Sequence, residues 1–238
     1  MRYLFVILFS ATLLADNEIF VEQSGSNAAI DLEQLGSDNL IGGTSSVSGN
    51  LTALDLDGAT MTLDINQIGS SNIFRSDAID GGNFTGFFEF DGDSNEWDLL
   101  MNSTGLLSTD YVNLNIDVTG SSNTADIKIG EDDDASYLDL DWIILGDSNE
   151  LDFEIDYEYA TNYMDINGST NTVNFSGSGY GASSSDAGYF YLDLDGSNNT
   201  LDITQASTLA RDWLKITTNA SNSSLCVVQN DGGTATSC

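Results

Sequence analysis

Apolar and polar residues alternate with a period of two along most of this chain. In residues 189–205, YFYLDLDGSNNTLDITQ, the apolar Phe190, Leu192 and Leu194 alternate with Tyr191, Asp193 and Asp195. Gly196-Ser-Asn-Asn199 then interrupts, and Leu201, Ile203 and Gln205 resume the alternation against Asp202 and Thr204. Period two marks a strand with one apolar face, and a run of Gly, Ser and Asn marks a tight turn. The predicted unit is strand, turn, strand. One such unit has nothing to bury its apolar face against, and the chain answers by repeating it.

The turn Gly-x-x-Asn recurs at Gly36/Asn39, Gly69/Asn72, Gly92/Asn95, Gly120/Asn123, Gly146/Asn149, Gly168/Asn171 and Gly196/Asn199, with a degenerate copy at Asn219/Asn222. Successive copies stand 33, 23, 28, 26, 22, 28 and 23 residues apart, and a period in the twenties is that of a solenoid. The arms repeat as well. LDINQI (63–68), LNIDVT (114–119) and LDLDWIIL (138–145) precede turns, while TADIKI (124–129), ELDFEI (150–155) and TLDIT (200–204) follow them. Segments 75–86, 130–136 and 176–188 read as loops that absorb the variation in period. The pattern predicts an all-β solenoid of about eight or nine two-strand rungs. Its two sheets would face each other about 10 Å apart, with a rise of about 4.8 Å per rung.

The chain has five glutamines, Gln23, Gln34, Gln67, Gln205 and Gln229, each in phase with apolar neighbours such as Leu63/Ile65 before Gln67 and Leu201/Ile203 before Gln205. They are therefore expected inside. An isolated buried amide is costly, but amides stacked on successive rungs satisfy one another, as in cross-β ladders. Gln23-x-Gly25 followed by Gln34-x-Gly36, then Gln67-x-Gly69-x-x-Asn72, and Gly196-x-x-Asn199 with Gln205, resemble the curlin repeat of curli amyloid subunits. The resemblance covers residues 19–39 and parts of 63–72 and 196–205. It implies a secreted β-solenoid that associates end to end into extracellular fibres.

Composition sharpens this picture. Formal net charge is −33, from 38 acidic and 5 basic residues. Nucleic acid is excluded as a partner, because phosphate binding needs Lys and Arg. Proline is absent, where average usage of about 5% would give roughly a dozen; a chain whose backbone is almost wholly paired in ladders has no place for it. Residues 1–15, MRYLFVILFSATLLA, read as a secretory signal peptide with Arg2 as its basic end, so that the mature chain starts at Asp16. No other apolar run is long enough for a membrane span. Residues 16–222 form the predicted repeat domain. Residues 223–238 form a C-terminal cap, with Cys226 and Cys238 predicted to form one disulfide in an exported protein.

Chemistry finds few handles. The chain has no His, so a Ser nucleophile lacks its usual base, and Asp recurs as a repeat surface more than as a site. The expectation is a non-enzyme that requires no cofactor. Asp64, Asp117, Asp139, Asp165 and Asp193 before the turns, and Asp126, Asp152 and Asp202 after them, are expected outside as rows of like charge. Asp91-x-Asp93-x-Asn95 resembles the start of a calcium loop and is the candidate Ca²⁺ site; Glu96 stands where an EF-hand has its glycine. Outward Tyr189 and Tyr191 offer rings for stacking on sugars, which makes a surface polysaccharide a candidate partner. The reading is an exported structural subunit of amyloid-type fibres or a surface adhesin. The alternative is a monomeric extracellular module for calcium or glycan, carried by a phage or a surface appendage.

Overall fold

A computed structural model of the chain describes residues 18–42, 54–101, 111–130, 135–179, 188–207 and 212–230. The signal-peptide residues 1–15, Cys238 and the predicted loop residues 131–134 and 180–187 lie outside the described residues. The described chain is all-β, and its strands stack in parallel as a β-solenoid of about six turns.

Two ladders make up the stack. The first consists of the arms that precede the turns: β2 (Glu22–Leu35), β4 (Leu54–Ile68), β5 (Ile73–Asp91), β7 (Tyr111–Thr119), β9 (Ala135–Leu145), β10 (Glu150–Asn167), β12 (Gly188–Ser197) and β14 (Asp212–Ser221). The second consists of the arms that follow them: β1 (Glu18–Ile19), β3 (Leu40–Ile41), β5, β6 (Glu96–Met101), β8 (Thr124–Ile129), β10, β11 (Thr172–Gly179), β13 (Thr200–Ser207) and β15 (Ser224–Gln229). β5 and β10 belong to both ladders, so the 15 strands form one continuous sheet that turns back on itself. Every pairing is parallel, as the coil requires.

Two sequence expectations change here. Residues 75–86 are strand within β5, with a register shift between Arg75 and Ile79. The reason is a second glycine column: Gly25 pairs with Gly58, and Gly58 with Gly81. An added Cβ on Gly58 would come within 2.6 Å of the Gly25 carbonyl oxygen, so this corner packs backbone on backbone and the ladder runs through it. The last turn is also shifted by one residue. Gly196 pairs with Ala220 and Ser197 with Ser221, which makes the final copy Ala220–Ser223 in place of Asn219–Asn222. β15 then continues the stack in register with β13 past the predicted boundary at residue 222.

The core lies between the two ladders and comes from the period-two faces. Leu138, Leu140, Trp142 and Ile144 on β9 face Leu151, Phe153 and Ile155 on β10, all buried. Trp142 meets Phe153 edge-on at 4.6 Å between ring centroids, and Phe90 stacks on Trp97 at 4.1 Å. Gly86 is the thin position in its column, between Leu63 and Leu114. The rings of Phe84 and Phe88 fill its space, each within 2.8 Å of where a Cβ would sit. Burial of these apolar faces, at about 25 cal/mol per Å², is what drives the rungs together.

Candidate functional site

The turns form one column along the edge of the stack. Each but the last, which begins with Ala220, begins with glycine: Gly69, Gly92, Gly120, Gly146 and Gly196 have φ between 126° and 143°, in the region L-residues avoid. A Cβ on Gly146 would stand 1.9 Å from the carbonyl oxygen of Gly120 in the rung before. The third turn position, occupied by Asp38, Ser71, Ser94, Ser122, Ser148, Thr170, Asn198 and Asn222, is left-handed with φ of 55–65°. The fourth position carries the linkage. Asn39 N–H donates to Asn72 Oδ1, Asn72 to Asn95, Asn95 to Asn123, Asn123 to Asn149, Asn149 to Asn171 and Asn171 to Asn199, at 2.8–3.1 Å. Asn199 N–H donates to Ser223 Oγ at 3.1 Å, so serine supplies the same acceptor where the repeat ends. In the later rungs the amide also donates: Asn149, Asn171 and Asn199 Nδ2 reach the carbonyls of Gly120, Gly146 and Gly168 at 2.9–3.2 Å. All seven asparagines are buried.

The glutamines fall into two separate pairs. Gln34 and Gln67 sit side by side before the turns, and Gln67 Nε2 donates to Gln34 Oε1 at 2.9 Å and to Ile73 O at 3.3 Å. Gln205 and Gln229 sit after the turns, with Gln229 Nε2 donating to Gln205 Oε1 at 3.0 Å. Gln34, Gln67 and Gln205 are buried, whereas Gln229 is exposed on the last rung. The pairs stop where the next rung offers Phe90 beside Gln67 and Gly177 beside Gln205. Gln23 pairs with Leu56 on the backbone, and its side chain lies outside the described residues.

The acidic residues point outward, in shorter runs than the sequence suggests. The longest is Asp98, Asp126 and Asp152 on β6, β8 and β10, with Arg75 before it and Asn174 after it. Partial burial and then the Asp126 carboxylate push Asp98 and Asp152 above the usual carboxylate range, Arg75 and Lys128 opposing at Asp98 and Lys128 at Asp152. On the first ladder Asp165 pairs with Asp193, but Ile143 separates Asp165 from Asp117. Burial raises Asp117; burial and then neighbouring carboxylates raise Asp141 and Asp165.

The calcium-loop residues do not converge. Asn95 is buried with Oδ1 accepting from Asn72. Asp93 is exposed, and its Oδ1 accepts from Ser121 N–H at 2.6 Å in the next turn. Asp91 is exposed at the end of β5. Among the described residues no cluster of three or more His, Cys, Asp or Glu is arranged to hold a metal ion, and no helix is long and apolar enough to cross a membrane. Cys226 lies in the outward phase of β15, opposite Asp202.

The feature that period and spacing did not reveal is an aromatic surface on the first ladder. Tyr111, Tyr137 and Tyr159 stack in one column with centroids 4.9 and 5.1 Å apart. Tyr163 stacks on Tyr191 at 4.7 Å, and Tyr189 on Trp213 at 6.3 Å. The alternation places Tyr189 and Tyr191 outward, but their stacking partners Trp213 and Tyr163 lie 24 and 28 residues away, and only the register brings them together. Comparison of the chain with protein-family models, curated proteins and solved structures finds no match.

Proposed function

We propose that this chain is an exported structural protein of the curlin-like kind, a subunit that stacks end to end into extracellular amyloid-type fibres or serves as a surface adhesin. The observation that supports this reading is the last rung. Among the described residues, β14 and β15 each pair with a neighbour on one side only. Leu225 and Val227 are 39% and 37% exposed, while their register partners Leu201 and Ile203 are buried. An apolar rung face with a one-sided strand edge is a template for another copy, and a head-to-tail contact that does not close on itself gives a filament. Residues 1–15 act as its secretion signal, and Cys226 forms a disulfide with Cys238. Mass spectrometry of the exported protein tests both; free thiols would refute the bond. Negative-stain imaging and thioflavin fluorescence of the purified mature protein test the fibre itself: unbranched filaments with a fluorescence gain are expected.

A second reading, a monomeric extracellular module that binds glycan, draws on the exposed Tyr columns of the first ladder. Persistent monomer under every ionic condition would favour it over the fibre.

A further inference from the structure

We propose that the outer face of the first ladder is a binding site for an extended polysaccharide that carries free amino groups. The proposal deepens the adhesin reading and rests on it, but it does not depend on fibre formation.

Two depressions lie on this face. One, of about 480 Å³, is lined by Asp141, Tyr163, Asp165, Tyr191, Asp193 and Lys215 among others. The other, of about 670 Å³, includes Asn83, Tyr111, Asn113, Tyr137, Asp139 and Tyr163. Tyr163 lines both, so the two depressions adjoin across successive rungs of this face. The rings on it are slipped. Carbon atoms in contact stand about 3.5–4.0 Å apart, yet the nearly parallel rings of Tyr111/Tyr137 and Tyr163/Tyr191 have centroids 4.9 and 4.7 Å apart and planes within 10°. Offset stacking of this kind leaves part of each ring face turned outward, and Tyr111, Tyr137 and Tyr163 are 45–57% exposed. The rung rise of about 4.8 Å repeats these faces at a pitch close to that of an extended sugar chain, whose C–H faces pack on tyrosine. Asn83, Thr85, Asn113 and Thr161 add amide and hydroxyl partners for sugar hydroxyls.

Charge selects the class of sugar. Asp139, Asp141, Asp165 and Asp193 border the rings, against Lys215 at one edge. Asp141 and Asp165 already repel each other and their neighbours in partial burial. An anionic chain would add to that repulsion, and a neutral one would leave it in place. Ammonium groups relieve it through charge-assisted hydrogen bonds and are held over tyrosine faces by cation–π attraction.

The test uses the mature full-length protein, shown by light scattering to stay monomeric, just below neutral pH in about 0.15 M NaCl to suppress loose charge attraction. The hexamer of β-1,4-linked glucosamine is titrated by calorimetry, beside its N-acetylated form, cellohexaose and hexalysine. The glucosamine hexamer is expected to bind, and each of the other three at least about tenfold more weakly, the scale of one lost charge-assisted contact. Asp165→Asn with Asp193→Asn, which removes repulsion and so keeps the fold, should weaken glucosamine binding by a similar factor without lowering the melting temperature. Tyr163→Ser with Tyr191→Ser should also weaken glucosamine binding by a similar factor, measured at a temperature where circular dichroism shows the sheet intact. Absence of binding, equal binding of the acetylated or neutral hexamers, equal binding of hexalysine, or indifference to either pair of substitutions overturns the proposal. Binding by monomer that never forms fibres separates this site from the fibre reading.

Discussion

Gln67 shows what a single inward polar residue does in this fold. Its amide donates to Gln34 Oε1 and to Ile73 O from a fully buried position, so Gln67→Glu would replace a donor with a carboxylate facing two acceptors. Breaking buried polar pairing in that way costs about 3–5 kcal/mol. Asp64→Ala, three residues earlier on the exposed phase, should cost under about 0.5 kcal/mol. Equal melting temperatures for the two variants would sink the inward role of Gln67. The asparagine column makes a second residue-scale prediction. Asn149 accepts from Asn123 N–H and donates to Gly120 O; Asn149→Ala leaves a buried N–H unpaired and should cost about 1–3 kcal/mol in chemical denaturation. Ser148→Ala in the same turn would lose neither bond and serves as the control. The sequence disclosed the phase of both residues, because alternation fixes which face a side chain takes. It did not disclose which amides would meet, because that depends on which strands are neighbours, and the repeat spacing varies from 22 to 33 residues.

At the scale of the strand, the continuity of β5 was hidden for a local reason. Gly25, Gly58 and Gly81 each stand 11 residues before a turn glycine, at Gly36, Gly69 and Gly92. That spacing is the signal of a second tight corner, but glycine-rich stretches read as loop when taken one at a time. Later rungs lack the glycine at that spacing, with Ala135 and Tyr157 in its place before Gly146 and Gly168. The outward column Asp98, Asp126 and Asp152 gives the pH prediction for this scale. Asp98 and Asp152 have raised pKa values, through burial first and the Asp126 carboxylate second. A raised carboxylate binds protons more readily in the folded state. Its favourable contribution is full below the ordinary value, about pH 4, and is lost as pH rises through the raised one. Thermal melts should therefore show higher stability in mild acid than at neutral pH. Asp152→Asn should raise the neutral melting temperature and shrink the acid gain. If the variant melts lower than the parent at neutral pH, the column is not a source of repulsion.

The whole molecule has an electrostatic direction that follows from the register of its ends. If residues 1–15 are removed on export, as proposed, 38 acidic and 4 basic residues remain, a net charge of −34. Rods so charged repel. Shortening the Debye length from about 30 Å at 0.01 M salt to about 8 Å at 0.15 M weakens only the long-range part, whereas divalent ions or protons act on neighbouring carboxylates directly. Fibre growth should be slow in low-salt EDTA at neutral pH and faster with Ca²⁺, with Mg²⁺ or in mild acid. Two of the four remaining bases, Arg211 and Lys215, belong to the last rung's sequence, while Glu22, Asp31 and Glu33 belong to the first full strand, β2. Asp31 stands five residues before Gly36, and Lys215 five before Ala220. Stacking head to tail in the internal register therefore sets Asp31 against Lys215, with Leu32 on Ile216 and Ile30 on Leu214 beside them. Lys215→Glu should slow fibre growth more than Lys128→Glu, which makes the same change in net charge within the stack. Adding Asp31→Lys to Lys215→Glu should restore growth. If the two single variants slow growth equally, total charge alone governs assembly and the ends do not meet in this register.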